Sequence, residues 1–229
     1  KQQNKGRLGY QEMRKYVDDN NVGDYLMMGN TPYYYANWDI NKIYFTKAAP
    51  SQSHQLSVQG SSSKTNYYLS LAYDKKEGLL KLHPDKLDRY NASVNVTNSV
   101  TDWLQVGARI NFTRKQYKHP DTWSKIYQYL WRWDASFLPS GSINGLDHRT
   151  MAILKQASDE RITTDFSRLN AFLRANLTKE MSFYADFTYA IQNMNSASED
   201  FSVYGINWGG IKPSYIVSPS QTGVWRDNS

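Results

Sequence analysis

Apolar and polar residues alternate along this chain with a period of two, and no other feature restricts its fold as much. Leu104, Val106, Ala108, Ile110 and Phe112 take every second place, with Gln105, Gly107, Arg109, Asn111 and Thr113 between them. Leu169, Ala171, Leu173, Ala175 and Leu177 do the same against Arg168, Asn170, Phe172, Arg174 and Asn176. Such a period sets successive side chains on opposite faces of a strand, one for an apolar medium and one for water or polar protein. Repeated over segments of about ten residues, it is the pattern of a transmembrane β-barrel wall.

The same alternation places strands over 53–60, over 66–74, from Arg89 to Thr97 and from Met181 to Gln192. Ser214 to Ser218 has the character of a further strand. The connections alternate in length: short at 61–64, 101–102 and 178–180, long at 75–86, 115–162 and 193–210. All short turns then fall on one rim and all long loops on the other, the arrangement of outer-membrane barrels. A soluble sandwich has no reason to sort its loops this way. The apolar strand positions also contain no Asp, Glu, Lys or Arg. A charge at the bilayer midplane would cost about 2–4 kcal/mol. The expected fold is therefore all-β: an antiparallel transmembrane barrel wall of about six to eight strands with long extracellular loops. Residues 1–52 are expected to be an extracellular loop with a short helix near Tyr10–Val17. Residues 53–229 would belong to the barrel, with 115–162 as its long extracellular loop. The smallest such barrels have eight strands, so further strands are expected elsewhere in a longer, exported protein.

Composition agrees. There are 18 Tyr, 7 Trp and 8 Phe in 229 residues, yet the mean hydropathy is −0.71. Aromatic girdles around a wet interior produce that combination. No apolar run approaches the roughly 20 residues of a transmembrane helix. Cysteine is absent, which excludes disulfides and thiolate metal sites. The net charge of +6 is spread without a basic block, so nucleic acid is not an expected partner.

Several stretches are familiar in sequence. Asn37-Trp38-Asp39, Ser53 to Gly60, Lys64-Thr65-Asn66-Tyr67-Tyr68-Leu69-Ser70-Leu71-Ala72-Tyr73 and Glu77-Gly78 occur in order. Asp88-Arg89-Tyr90, Asn95-Val96 and Thr101-Asp102-Trp103-Leu104-Gln105-Val106-Gly107 continue the series. Together, from Asn37 to Thr113, they resemble the SusC/RagA family of TonB-dependent outer-membrane transporters. The resemblance implies a 22-stranded barrel with an N-terminal plug, capped by a SusD-like surface lipoprotein and energised through TonB. It further implies import of oligosaccharides or peptides, without catalysis and without a cofactor. No plug or TonB box can be matched within these residues. Two other functions fit the pattern: a TonB-dependent receptor for a siderophore or other small ligand, and a soluble secreted β-sandwich that binds carbohydrate.

No catalytic constellation is visible. Ser61-Ser62-Ser63-Lys64 matches Ser-x-x-Lys only literally, because that motif needs a buried helix start. His54, His83, His119 and His148 lack metal-ligand spacing. The candidates for contact with ligand or partner lie in the longest loop: Trp123, Tyr127, Trp131, Trp133 and Phe137. Aromatic side chains stack on sugar rings and form interface hot spots, although they can equally fold such a loop onto itself. Arg89, Arg109, Arg168, Arg174 and Asp186 fall on the polar strand face. They are expected to be wall groups paired with one another, with a plug or with water.

Overall fold

A computed structural model describes residues 25–28, 31–34, 39–121, 126, 128, 130, 145–199, 201–206, 214–217 and 226–228. A small hairpin, β1 (Tyr25–Met28) and β2 (Thr31–Tyr34), precedes helix α1 (Ile40–Tyr44). Then come β3 (Ser51–Ser61), β4 (Thr65–Glu77), β5 (Lys86–Ser99) and β6 (Leu104–Pro120). Helix α2 (Arg149–Gln156) leads into β7 (Asp159–Asn176) and β8 (Ser182–Ser198). The short strands β9 (Val203–Gly205), β10 (Ser214–Val217) and β11 (Arg226–Asn228) follow. Strands β3 to β8 pair in chain order as an antiparallel meander, and β11 pairs with β8.

Each tight turn of the meander is closed by a hydroxyl at its first residue. Ser62, Thr101 and Thr178 accept from the backbone N–H three residues on, at Thr65, Leu104 and Met181, each over 3.0 Å. Ser and Thr favour turns through this local bond. Ser61 to Lys64 is thus an exposed hairpin bend and not a helix start.

Register decides whether the alternation of each strand adds up, since a slip of one residue would turn a strand inside out. It adds up across six strands. Val58, Leu69, Val94, Ile110, Leu169 and Tyr189 stand directly opposite one another in a single row. Gly60, Tyr67, Val96, Ala108, Ala171 and Phe187 form the row toward the tight turns. On the other face the matching row is Gln59, Tyr68, Asn95, Arg109, Asn170 and Thr188. The sheet therefore has one continuous apolar face and one continuous polar face.

The apolar face is not the core. Leu56 is 66% exposed and Phe187 63%, and Leu71, Ile110, Phe183 and Tyr189 are exposed with them. Instead, the buried cluster of Tyr44, Leu80, Ile126, Met151, Ala152, Ile153, Leu154, Ala157 and Val203 sits among the connections on the long-loop rim. A cap thus draws together residues of α1, the β4–β5 connection, α2 and β9.

Three expectations need correction. The long loop is 121–158, not 115–162, because β6 and β7 continue pairing from Arg114–Asp165 out to Pro120–Asp159. The connections at 75–86 and 193–210 shorten in the same way, to 78–85 and to a start at 199. Beyond Phe112 the period-two apolar signal ends while the hydrogen-bond ladder carries on. The stretch 1–52, expected as loop with one helix near Tyr10–Val17, also holds the β1–β2 hairpin and α1, which Asp39 caps by accepting from Lys42 N–H at 3.2 Å. Finally, Ser214–Val217 is a strand, but it pairs with β9 off the main sheet, and β11 is the next strand beside β8. The expected helix near Tyr10–Val17 lies outside the described residues.

Candidate functional site

The polar face brings the sequence-derived wall residues together. Arg109 on β6, Arg168 and Arg174 on β7 and Asp186 on β8 all share it. Among the described residues none of these three arginines forms an ion pair with a carboxylate. Asp186 is held by neutral donors. Asn170 Nδ2 donates to both its oxygens at 2.8 and 2.9 Å, Tyr184 Oη at 3.0 Å and Thr188 Oγ1 at 3.2 Å. The arginines lie over aromatic rings instead, Arg109 at 5.0 Å from the Phe172 centroid, Arg168 at 5.6 Å from Phe166 and Arg174 at 5.9 Å from Tyr184. Such contacts hold a guanidinium while leaving its donors free to face outward. Arg89 is the exception, with Asp74 accepting from its Nε at 3.1 Å and from a terminal nitrogen at 2.9 Å.

Phe172 has room for this role because Gly107 stands opposite it. A Cβ on Gly107 would lie 2.3 Å from the Phe172 ring. Asn170, only 8% exposed, is the residue that ties β7 to β8 here, and alternation alone gave no hint of it.

At the long-loop rim the strands run past the apolar band and carry ion pairs. Arg114 grips Asp165 with two hydrogen bonds of 2.7 and 2.8 Å. Lys118 and His83 both meet Asp159. The histidines are dispersed: His119 faces Glu160 at 3.6 Å, His54 stacks on Tyr73, and His148 is buried at the start of α2. Burial, helped by the neighbouring charge of Arg149, lowers the His148 pKa to about 4. Burial beside Asp147 raises the Tyr44 phenol above its usual value.

The five aromatic candidates, Trp123, Tyr127, Trp131, Trp133 and Phe137, lie outside the described residues. What can be placed is their setting, a loop that leaves β6 at Pro120 and returns at Asp159 beside the buried cap. Two further features escaped sequence reasoning. One is the cap itself, whose only linear trace is the apolar run Met151-Ala152-Ile153-Leu154. The other is a row of cations, Lys86, Lys118 and Arg161, set directly opposite one another across β5, β6 and β7.

Neither a protein-family model nor a curated protein matches this sequence. Among solved structures the chain is similar to the RagAB peptide importer in its "closed-closed" state, with a TM-score of 0.53 and 19% identity. The match takes in 86% of this chain and 23% of that one, so the chain spans about a quarter of that structure's length. Shared at that identity is the fold, an antiparallel sheet of the kind that builds a barrel wall.

Proposed function

We propose that this chain is a stretch of outer-membrane barrel wall from a TonB-dependent importer of the SusC/RagA type. It takes part in the uptake of an oligomeric nutrient, a peptide or an oligosaccharide, together with a SusD-like lipoprotein. The apolar face meets lipid, the polar face lines the interior, the tight turns lie in the periplasm and the long loops outside the cell. The wall performs no chemistry of its own. One observation carries this reading: a charge-free apolar band on one face of the sheet that stays exposed across six strands. In water such a patch would drive aggregation, whereas in a bilayer it is the required surface. Among the described residues no second sheet covers it, as a secreted sandwich would need. Likeness in fold to a peptide importer supports the same reading and favours peptides as cargo.

Fractionation tests it directly. The protein should be recovered with outer membranes and leave them only in detergent; recovery in the detergent-free soluble fraction would overturn the assignment. Uptake tests the loop. Replacing Trp131 and Trp133 together by alanine should lower nutrient uptake or lipoprotein co-purification at equal barrel levels, because aromatic hot spots are typically worth about 2–4 kcal/mol.

A further inference from the structure

We propose that the lipid-facing side of β3 to β7 holds one phosphate-bearing lipid of the outer leaflet in a built site. This rests on the assignment of the sheet as an outer-membrane wall. Two features, stacked along the same strands, make up the site.

The lower feature is a shallow apolar dent of about 550 Å³. It exists because Ala92 is small where its neighbours Leu56, Leu71, Tyr73, Tyr90 and Phe112 are large. Its mouth lies on the apolar face, so an acyl chain can enter it sideways from the membrane. Tyr73 and Tyr90, with ring centroids 5.0 Å apart, close its upper end. Aromatic residues take that position at the boundary between hydrocarbon and headgroups.

The upper feature is the cation row. Lys86, Lys118 and Arg161 occupy register positions that face the same side as Tyr90 and Leu71, four residues beyond Tyr90 along β5. Four residues are about 13 Å along a strand, or about 10 Å in height at a barrel tilt near 40°. That lies within reach of lipid phosphates above a band ending at the tyrosines. Like charges placed directly opposite in a sheet repel one another. Glu77 stands opposite Lys86 in the same row and Asp159 pairs with Lys118, yet Lys86 and Arg161 form no ion pair among the described residues. A phosphate on the row removes the repulsion and takes charge-assisted hydrogen bonds from both amine and guanidinium donors. An acidic protein surface would satisfy the cations but has no use for the dent. A lipid uses both.

The test uses the protein expressed in its native host, extracted in mild detergent and examined by native mass spectrometry for retained phospholipid or phosphorylated glycolipid. One variant combines K86Q, K118Q and R161Q; a second, A92F, fills the dent and leaves every charge in place. The unaltered protein should retain one such lipid through repeated detergent washing. Each cation removed should weaken retention roughly fivefold, about a hundredfold for all three. A92F should also release the lipid. Retention at the unaltered level in either variant, or no retained lipid in the unaltered protein, would overturn the site. So would loss of a protein partner from the triple variant with the lipid unchanged. A protein that fractionates with outer membranes but fails these tests loses only the lipid site. One that is soluble without detergent loses the wall assignment as well.

Discussion

Asp186 carries a charge yet draws its partners from Asn170, Tyr184 and Thr188, while nearby arginines rest on rings. Around Asp186, polar-face residues are therefore held in place without direct ion pairing, unlike Arg89 and Asp74 farther along the same face. On our reading of the sheet as an importer wall, that leaves Arg109, Arg168 and Arg174 able to meet a plug, water or cargo. The Gly107 position makes this possible for Arg109. A G107V substitution must displace the Phe172 ring and with it the surface under the guanidinium. We expect normal membrane insertion and altered uptake, measured as transport at equal expression. His148 gives a second residue-scale prediction. Its folded pKa of about 4 lies below its ordinary 6.5. The unfolded cap therefore binds the proton first, and cap stability is full above pH 6.5 and falls as pH drops toward 4. The slope approaches about 1.4 kcal/mol per pH unit, with a total of about 3 kcal/mol. Hydrogen exchange in α2 should accelerate on acidification across that window, and H148N should flatten the response.

At the scale of elements, the strands are longer than a bilayer needs. The apolar face of β6 runs nine residues, Leu104 to Phe112, close to the 9–11 that cross a membrane. The remainder, Thr113 to Pro120, is overhang on the long-loop side, fastened by the Arg114–Asp165 pair. A charge within the nine should prevent assembly. A108R or A185D should cost about 2–4 kcal/mol at the midplane and reduce surface levels and heat-modifiable mobility on gels. Normal levels of both variants would refute the face assignment. The tight turns give a gentler test. T178A removes the hydroxyl that accepts from Met181 N–H and should cost about 0.5–1.5 kcal/mol in denaturant unfolding, with T178S recovering most of it.

For the whole molecule, order is divided between a sheet without a core of its own and a cap that has one. The sheet is stabilised by its ladder and, on our reading, by lipid. The cap is stabilised by apolar burial around Ile153, Val203, Tyr44 and Leu80, each at most 1% exposed. It is sealed by backbone links such as Ile206 N–H to the Asp147 carbonyl and Lys81 N–H to the Tyr44 carbonyl. The two parts should therefore fail separately. I153A should cost the cap about 2–4 kcal/mol and expose the 121–158 connection to protease while the barrel band on a gel stays unchanged. Loss of the barrel band together with the cap would show that the two fold as one unit.

The six long strands, their choice of face and the sorting of short and long connections were legible in the sequence, because a period of two is a local property that each segment carries alone. The short strands β1, β2, β9 and β11 carry too few residues to show it. Val58, Leu69, Val94, Ile110, Leu169 and Tyr189 could each be assigned to the apolar side before any was known to neighbour another. Where β6 and β7 stop was not legible, since residues past Phe112 pair through backbone groups that every sequence possesses. Only the tertiary structure decided which loop segments meet. The cap gathers Tyr44, Leu80, Ile153 and Val203 from four distant stretches with no shared period. The row of Lys86, Lys118 and Arg161 likewise exists only once register aligns three strands. Contacts of that kind depend on pairing between distant segments, and no single segment records its partner.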